Sequence, residues 1–166
     1  MNSKLNFLKI ESEMKILDAL NPDSVISNLS ALNKKGIIEE LVKAVSKNTE
    51  AESGEMIRVL LERERLGSTG IGDGIGIPHG KLKGLNKLVM AVGLSRKGVD
   101  FESLDGKPTH IFFLLVTPDN STGLHLRLLA RISRLLKDDA FKNGLKRAKD
   151  SKEMFKIISD ADTEDF

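Results

Sequence analysis

Ile111-Phe112-Phe113-Leu114-Leu115-Val116 is a continuous apolar run bounded by His110 on one side and Thr117-Pro118 on the other. An unbroken run of this length has no solvent-facing alternation, as expected of a strand buried on both faces, and it is the candidate for a central strand. Leu88-Val-Met-Ala-Val-Gly-Leu94 is a second such run. Around them the spacing turns helical. Ile37, Ile38, Leu41, Val42 and Val45 form the stripe of an amphipathic helix over about residues 34–47, one that should lie on a sheet. Further helices are predicted from about Ser53 to Leu66, ending at Gly67, and over Thr122–Lys137, Phe141–Lys149 and Lys152–Ser159. Met14–Leu20 reads as a short amphipathic turn stopped by Asn21-Pro22, with the β-branched Val25-Ile26 as a candidate strand. Helices alternating with strands define an α/β class, a single-domain layered fold with helices packed on a sheet. Residues 1–13 are polar with scattered apolar positions and read as an N-terminal extension, leaving 14–166 for the domain.

The chain length of 166 residues suits one compact domain, and 40% apolar residues can fill a core. Lys and Arg total 26 against 24 Asp and Glu, so the net charge of +2 argues against a nucleic-acid binder. There is no Cys, which excludes disulfides, thiolate metal sites and a Cys nucleophile. No apolar run reaches the ~18–20 residues of a membrane span, and the first residues lack a signal-peptide core. The expectation is a cytoplasmic protein without membrane insertion.

Six of the fourteen glycines fall in Gly67-Ser-Thr-Gly-Ile-Gly-Asp-Gly-Ile-Gly-Ile-Pro-His-Gly80. GxGxxG fails in every register, because the third glycine would fall on Ile75, Ile77 or His79, and no GKS or GKT follows. Pro78 pushes Ile77 toward an extended conformation, so residues 75, 77 and 79 should share one face of a short strand. His79 would continue an apolar row, with flanking glycines that let backbone or a ligand come close. The competing reading is a tight glycine-rich turn with an incidental histidine at its end; the glycine density favours a functional His79.

In the helix before this segment, about 100° per residue places Arg63 within the stripe of Met56, Val59, Leu60 and Leu66, and Arg58 and Arg65 opposite. A guanidinium on that face either serves a polar pocket or snorkels from the stripe's edge, and the sequence favours neither. In the helix 122–137, Leu128, Leu129, Ile132 and Leu136 mark the buried stripe and His125 lies near its centre in the first turn, where N–H groups favour an anion. A satisfied core histidine is the alternative. Arg127, Arg131, Arg134 and Lys137 take the far side, read as a solvated face. His110 begins a strand and reads as structural. With neither HExxH nor a His pair at i, i+4, no metal site is expected.

Inward-facing His79, His125 and Arg63 fit an anion handled by imidazole. A neutral imidazole has a nucleophilic lone pair and can accept a phosphoryl group without a metal or other cofactor. Arg63 and His125 are candidate donors to the phosphate; Ser68, Thr69 and segment N–H groups are further candidates. No GxSxG elbow supports a serine hydrolase.

The run Arg63-Glu-Arg-Leu-Gly-Ser68-Thr69-Gly-Ile-Gly-Asp-Gly-Ile-Gly-Ile-Pro78-His79-Gly80 resembles the signature of fructose/mannitol-type IIA components of the bacterial phosphoenolpyruvate phosphotransferase system. Asp105-Gly106-Lys-Pro108, the strand ending at Pro118 and His125-Leu-Arg-Leu-Leu-Ala130 resemble the family's following segments, and the fit runs from about Leu17 to Ile158. The resemblance implies a mixed sheet flanked by helices, and phosphorylation of His79 by an HPr-like carrier with help from Arg63 and His125. Leu20-Asn-Pro-Asp-Ser-Val25 resembles the nitrogen-regulatory branch, where regulatory target proteins, including potassium-transport and sensor-kinase systems, read the phosphorylation state. In the sugar-specific branch a separate IIB component would take the phosphate on a cysteine. A third alternative is a binding module that regulates a partner without phosphorylation. Gly76 stands where the family more often has Ala.

Overall fold

The computed structural model describes residues 14–163, so the extension expected over residues 1–13 lies outside the described residues. The expected central strand is β6, Thr109–Pro118. Alternation along it sends Ile111, Phe113 and Leu115 to one face and Phe112, Leu114 and Val116 to the other. All six are at most 1% exposed. Burying a side chain such as Phe112 or Phe113 stabilises the fold by roughly 2–3 kcal/mol relative to leaving it in water.

On one side β6 pairs antiparallel with β5, Val89–Val99, which pairs parallel with β1, Leu20–Ile26. On the other side two short strands, β3 at Ile75–Gly76 and β4 at His79–Leu82, run parallel to β6, and β2, Gly70–Gly72, closes a hairpin with β3. The result is the mixed sheet that the resemblance implies, with six strands among the described residues. Helices α1, Lys34–Val45, and α2, Ser53–Arg65, pack over the face carrying Phe112. The Phe113 face is covered by α3, Thr122–Leu135, α4, Asp139–Arg147, and α5, Ser151–Asp162, with the 3-10 turn Ile16–Asp18. Asn33, Asp138 and Asp150 accept backbone N–H bonds at the starts of α1, α4 and α5, satisfying groups that a helix end leaves unpaired.

Several expectations are corrected. Asn21-Pro22 does not precede a strand but lies inside β1, an edge strand where a missing N–H removes no ladder bond. The pairing with β5 is irregular there, between Leu20 and Val25, and Asn21 Oδ1 accepts from Asp23 N at 3.0 Å. The second apolar run continues as a strand to Val99, with a register shift after Leu94. Residues 75–79 are not one strand, because Ile77-Pro78 separates β3 from β4. The glycines serve the β2–β3 hairpin, whose turn holds Gly72, Asp73 and Gly74 at φ of 102°, 55° and 76°. Arg131 is not solvated. Its Nε donates to Asp162 at 2.8 Å and its Nη2 to the Asp162 carbonyl at 2.6 Å, while the same carboxylate accepts from the N–H groups of Ile16 and Leu17. The approach of α5 and the 3-10 turn converts one position of the basic stripe into a nearly buried ion pair.

Candidate functional site

Among the described residues β4 has only β6 as a strand partner, so helices from opposite faces of the sheet meet around it. His79 registers beside Leu115 and Lys81 beside Thr117, which puts all four on the α3 face, whereas Gly80 lies against Val59 and Leu60 of α2. Here an open cavity of about 770 Å³ is lined from three elements, its charged and titratable residues being His79 and Lys81 of β4, Glu62, Arg63 and Arg65 of α2, and His125 of α3.

His79 is half-buried. Its Nδ1 lies 2.7 Å from the Ile77 carbonyl, and because a carbonyl only accepts, Nδ1 carries the proton and Nε2 the lone pair. Burial lowers its pKa below the usual value of 6.5, and the Arg63 charge adds to this, against the opposing pull of the Ile77 carbonyl and of Glu64. The ring stands 5.4 Å, centroid to centroid, from that of His125. His125 is 5% exposed and its Nδ1 lies 2.7 Å from the Thr117 hydroxyl. Burial first, then the neighbouring His79 and Lys81, depress its pKa to about 4, so it is neutral at neutral pH. Lys81 Nζ donates to Thr122 Oγ1 at 2.9 Å.

Arg63 lies at the cavity wall, and its Nη1 donates to the Gly67 carbonyl at 2.8 Å. Arg58 faces away, held by Glu55 and Glu62. Arg65, expected opposite to Arg63, also reaches the cavity rim although exposed; Leu66, expected in the buried stripe, is 86% exposed because the last turn of α2 overhangs the opening. Ser68 and Thr69 are not brought to the cavity. The Ser68 hydroxyl donates to the Phe101 carbonyl at 2.7 Å, and the Thr69 hydroxyl donates to buried Glu64. The Glu64 carboxylate also accepts from Thr69 N at 3.2 Å and from Lys34 Nζ at 2.9 Å, fixing the C-terminal turn of α2 to the glycine segment. His110 is engaged at Nδ1 with the Ser95 carbonyl, across the irregular part of β5. Among the described residues no group of His, Asp or Glu is arranged to hold a metal ion.

Glu64, Lys81 and Thr117 escape the sequence reading. Strand alternation alone signals the last two, each lying two residues beyond an inward-facing neighbour. Nothing in the sequence signals Glu64, because its partner Lys34 is thirty residues away.

A mixed sheet flanked by helices on both faces is the fold of phosphotransferase IIA proteins of known structure. Residues 18–161 match the family described as phosphoenolpyruvate-dependent sugar phosphotransferase system, EIIA 2, and the chain belongs to that family. A nitrogen regulatory protein of Bradyrhizobium diazoefficiens is 35% identical over 146 residues, covering 88% of this chain and 95% of the relative. The fructose-specific EIIABC component of Bacillus subtilis is 33% identical over 150 residues, 90% of this chain, which spans only 24% of that longer protein. Among solved structures, the nitrogen regulatory protein IIA-Ntr of Neisseria meningitidis superposes with a TM-score of 0.80 at 28% identity, covering 85% of this chain and 97% of that one. No helix among the described residues is long and apolar enough to cross a membrane.

Proposed function

We propose that this chain is a histidine phosphocarrier that accepts a phosphoryl group on Nε2 of His79 from an HPr-like protein in the cytoplasm, and that its phosphorylation state is read by regulatory target proteins of a nitrogen-regulatory system. Residues 14–166 would form the working domain, with 1–13 appended to it. The observation that carries this reading is the Nδ1 contact of His79 with the Ile77 carbonyl, which leaves Nε2 unprotonated at a cavity lined by Arg63, Arg65, Lys81 and His125. The lone pair of Nε2 forms the new N–P bond as the donor's P–N bond breaks, and the released electron pair returns to the donor's imidazole. Charge on the equatorial oxygens meets Arg63 and His125, and the Ile77 carbonyl stabilises the Nδ1–H as the ring gains positive character.

A sugar-specific role, in which the phosphate passes to a separate IIB component, is favoured by the similarity to the fructose-specific relative. The test is incubation with phosphoenolpyruvate, enzyme I and the HPr-like carrier. The expected product is an acid-labile, base-stable mass gain on the wild type that is absent from His79→Ala. An unlabelled wild type, or equal histidine labelling of His79→Ala, would exclude both roles and leave a non-phosphorylated binding module. Chase of the label onto a IIB component separates sugar relay from regulation.

A further inference from the structure

Thr117 is the one polar residue of β6 between Ile111 and the strand's end at Pro118. It follows Val116 in β6, shares the face of Leu115, lies under α3, and is wholly buried. Valine has the same shape and would pack there equally well, so the hydroxyl needs a reason. Among the described residues its single hydrogen-bond partner is Nδ1 of His125, at 2.7 Å.

Two proton arrangements satisfy that distance. If His125 carried its proton on Nδ1, the ring would donate to Thr117 Oγ1, and the hydroxyl hydrogen would then have no acceptor in a site closed to water. A buried donor left unpaired forfeits its hydration with nothing in return. If the hydroxyl donates instead, Nδ1 accepts, every polar atom of the contact is satisfied, and the ring proton resides on Nε2. Nε2 lies on the side of the ring away from Thr117 and is the nitrogen left to the cavity that His125 lines with His79. The opposite tautomer would turn a lone pair toward an arriving phosphate.

We propose that Thr117 is a positioning residue, whose hydroxyl donates to Nδ1 of His125, holds the ring in its Nε2–H tautomer and so presents a neutral N–H donor to the phosphoryl group on His79. This rests on the phosphocarrier reading above. It also gives His79 and His125 complementary forms, with the lone pair on Nε2 of the first and the proton on Nε2 of the second, each set by what its Nδ1 touches.

The test reads the tautomer on unphosphorylated, ¹⁵N-labelled full-length chain at neutral pH, by two-bond proton–nitrogen correlation of the imidazoles. The wild type and Thr117→Ser should show His125 protonated at Nε2 with Nδ1 accepting a hydrogen bond. Thr117→Val and Thr117→Ala should lose that pattern, the second guarding against misfolding of the first. Phosphoryl transfer from the phosphorylated HPr-like carrier should fall about tenfold in both and stay within about twofold of wild type in Thr117→Ser. A wild-type His125 protonated at Nδ1 overturns the proposal, as do valine and alanine variants that keep the wild-type tautomer or the wild-type transfer rate. A wild type that takes no phosphate ends the phosphocarrier reading and the positioning role with it. A labelled wild type with the wrong tautomer ends only the role of Thr117.

Discussion

The imidazoles of His79 and His125 face one another at 5.4 Å with planes tilted by 53°, two titratable rings brought together from a strand and a helix. At that separation both cannot be cationic without strong repulsion, and burial disfavours the charge on each. Both pKa values lie below 6.5, that of His125 at about 4, so the unfolded chain binds more protons than the folded one between these values. Stability therefore rises with pH across this window; it is fully present above about 6.5 and is lost as pH falls toward about 4.

The first prediction follows from this sign. Urea unfolding of the unphosphorylated protein at pH 4.5 and 7.5 should show a loss at the lower pH, of which His125 contributes about 2–3 kcal/mol. Carboxylates titrate in the same range, so the quantity to measure is the difference between wild type and His125→Gln. The variant should show the flatter profile, and parallel profiles would place the pKa of His125 at its ordinary value.

A second prediction separates the two arginines at the cavity. Arg63 is half-buried and anchored through Nη1 to the Gly67 carbonyl, which leaves its other N–H donors for a phosphate, whereas Arg65 is exposed at the rim. Arg63→Ala should slow phosphoryl transfer about 100-fold and Arg65→Ala only a few-fold, the difference between a fixed donor and a solvated charge. Rapid-quench measurement of the label on His79 checks both, and equal slowing would show that only the summed charge matters.

How far the site can be read from sequence depends on how local its determinants are. The unbroken apolar run Ile111–Val116 and the helical stripes around Leu128 and Leu41 specify the central strand and the covering helices, because each pattern needs only neighbouring residues. His79, His125 and Arg63 are legible for the same reason. Ser68 and Thr69 have suitable hydroxyls at a suitable place in the chain, but the Phe101 carbonyl and Glu64, both brought in by tertiary folding, take their hydrogen bonds. Arg131 likewise looks solvated on a helical wheel until α5 delivers Asp162 to it. The break at Ile77-Pro78 is hidden because the two short strands either side of it run along the same neighbour, β6.

Glu64 yields a third prediction. Its carboxylate is buried and serves Lys34 and both donors of Thr69, so removing it leaves the largely covered Lys34 ammonium with only the exposed Glu102 carboxylate at 4.0 Å and the face of the Phe101 ring. Glu64→Ala should destabilise the fold by about 3–5 kcal/mol in urea titration, and Glu64→Gln, which keeps an acceptor, by clearly less. Since Glu64 adjoins Arg63 at the end of α2, the alanine variant should also slow transfer to His79. Wild-type stability in Glu64→Ala would mean that water replaces the carboxylate without cost.

The last prediction concerns Gly76, the position at which the resemblance leads to an expectation of alanine. In this chain Gly76 pairs directly with Phe112 across β3 and β6, and a Cβ built on it would stand 3.1 Å from Phe112 Cδ1 and 3.2 Å from Thr109 Cγ2. Those contacts are tight, and the Phe112 ring is itself fixed edge-on against Phe101 at 5.1 Å. Gly76→Ala should therefore cost about 1–3 kcal/mol through overpacking despite the better strand propensity of alanine. Phe112→Leu should cost stability too, by removing ring contacts, yet it makes room for the methyl. The double variant should then be more stable than the sum of the two single losses predicts, by about 1 kcal/mol in a double-mutant cycle. Strict additivity would show that the ring is not what excludes alanine, and would move the explanation to Thr109.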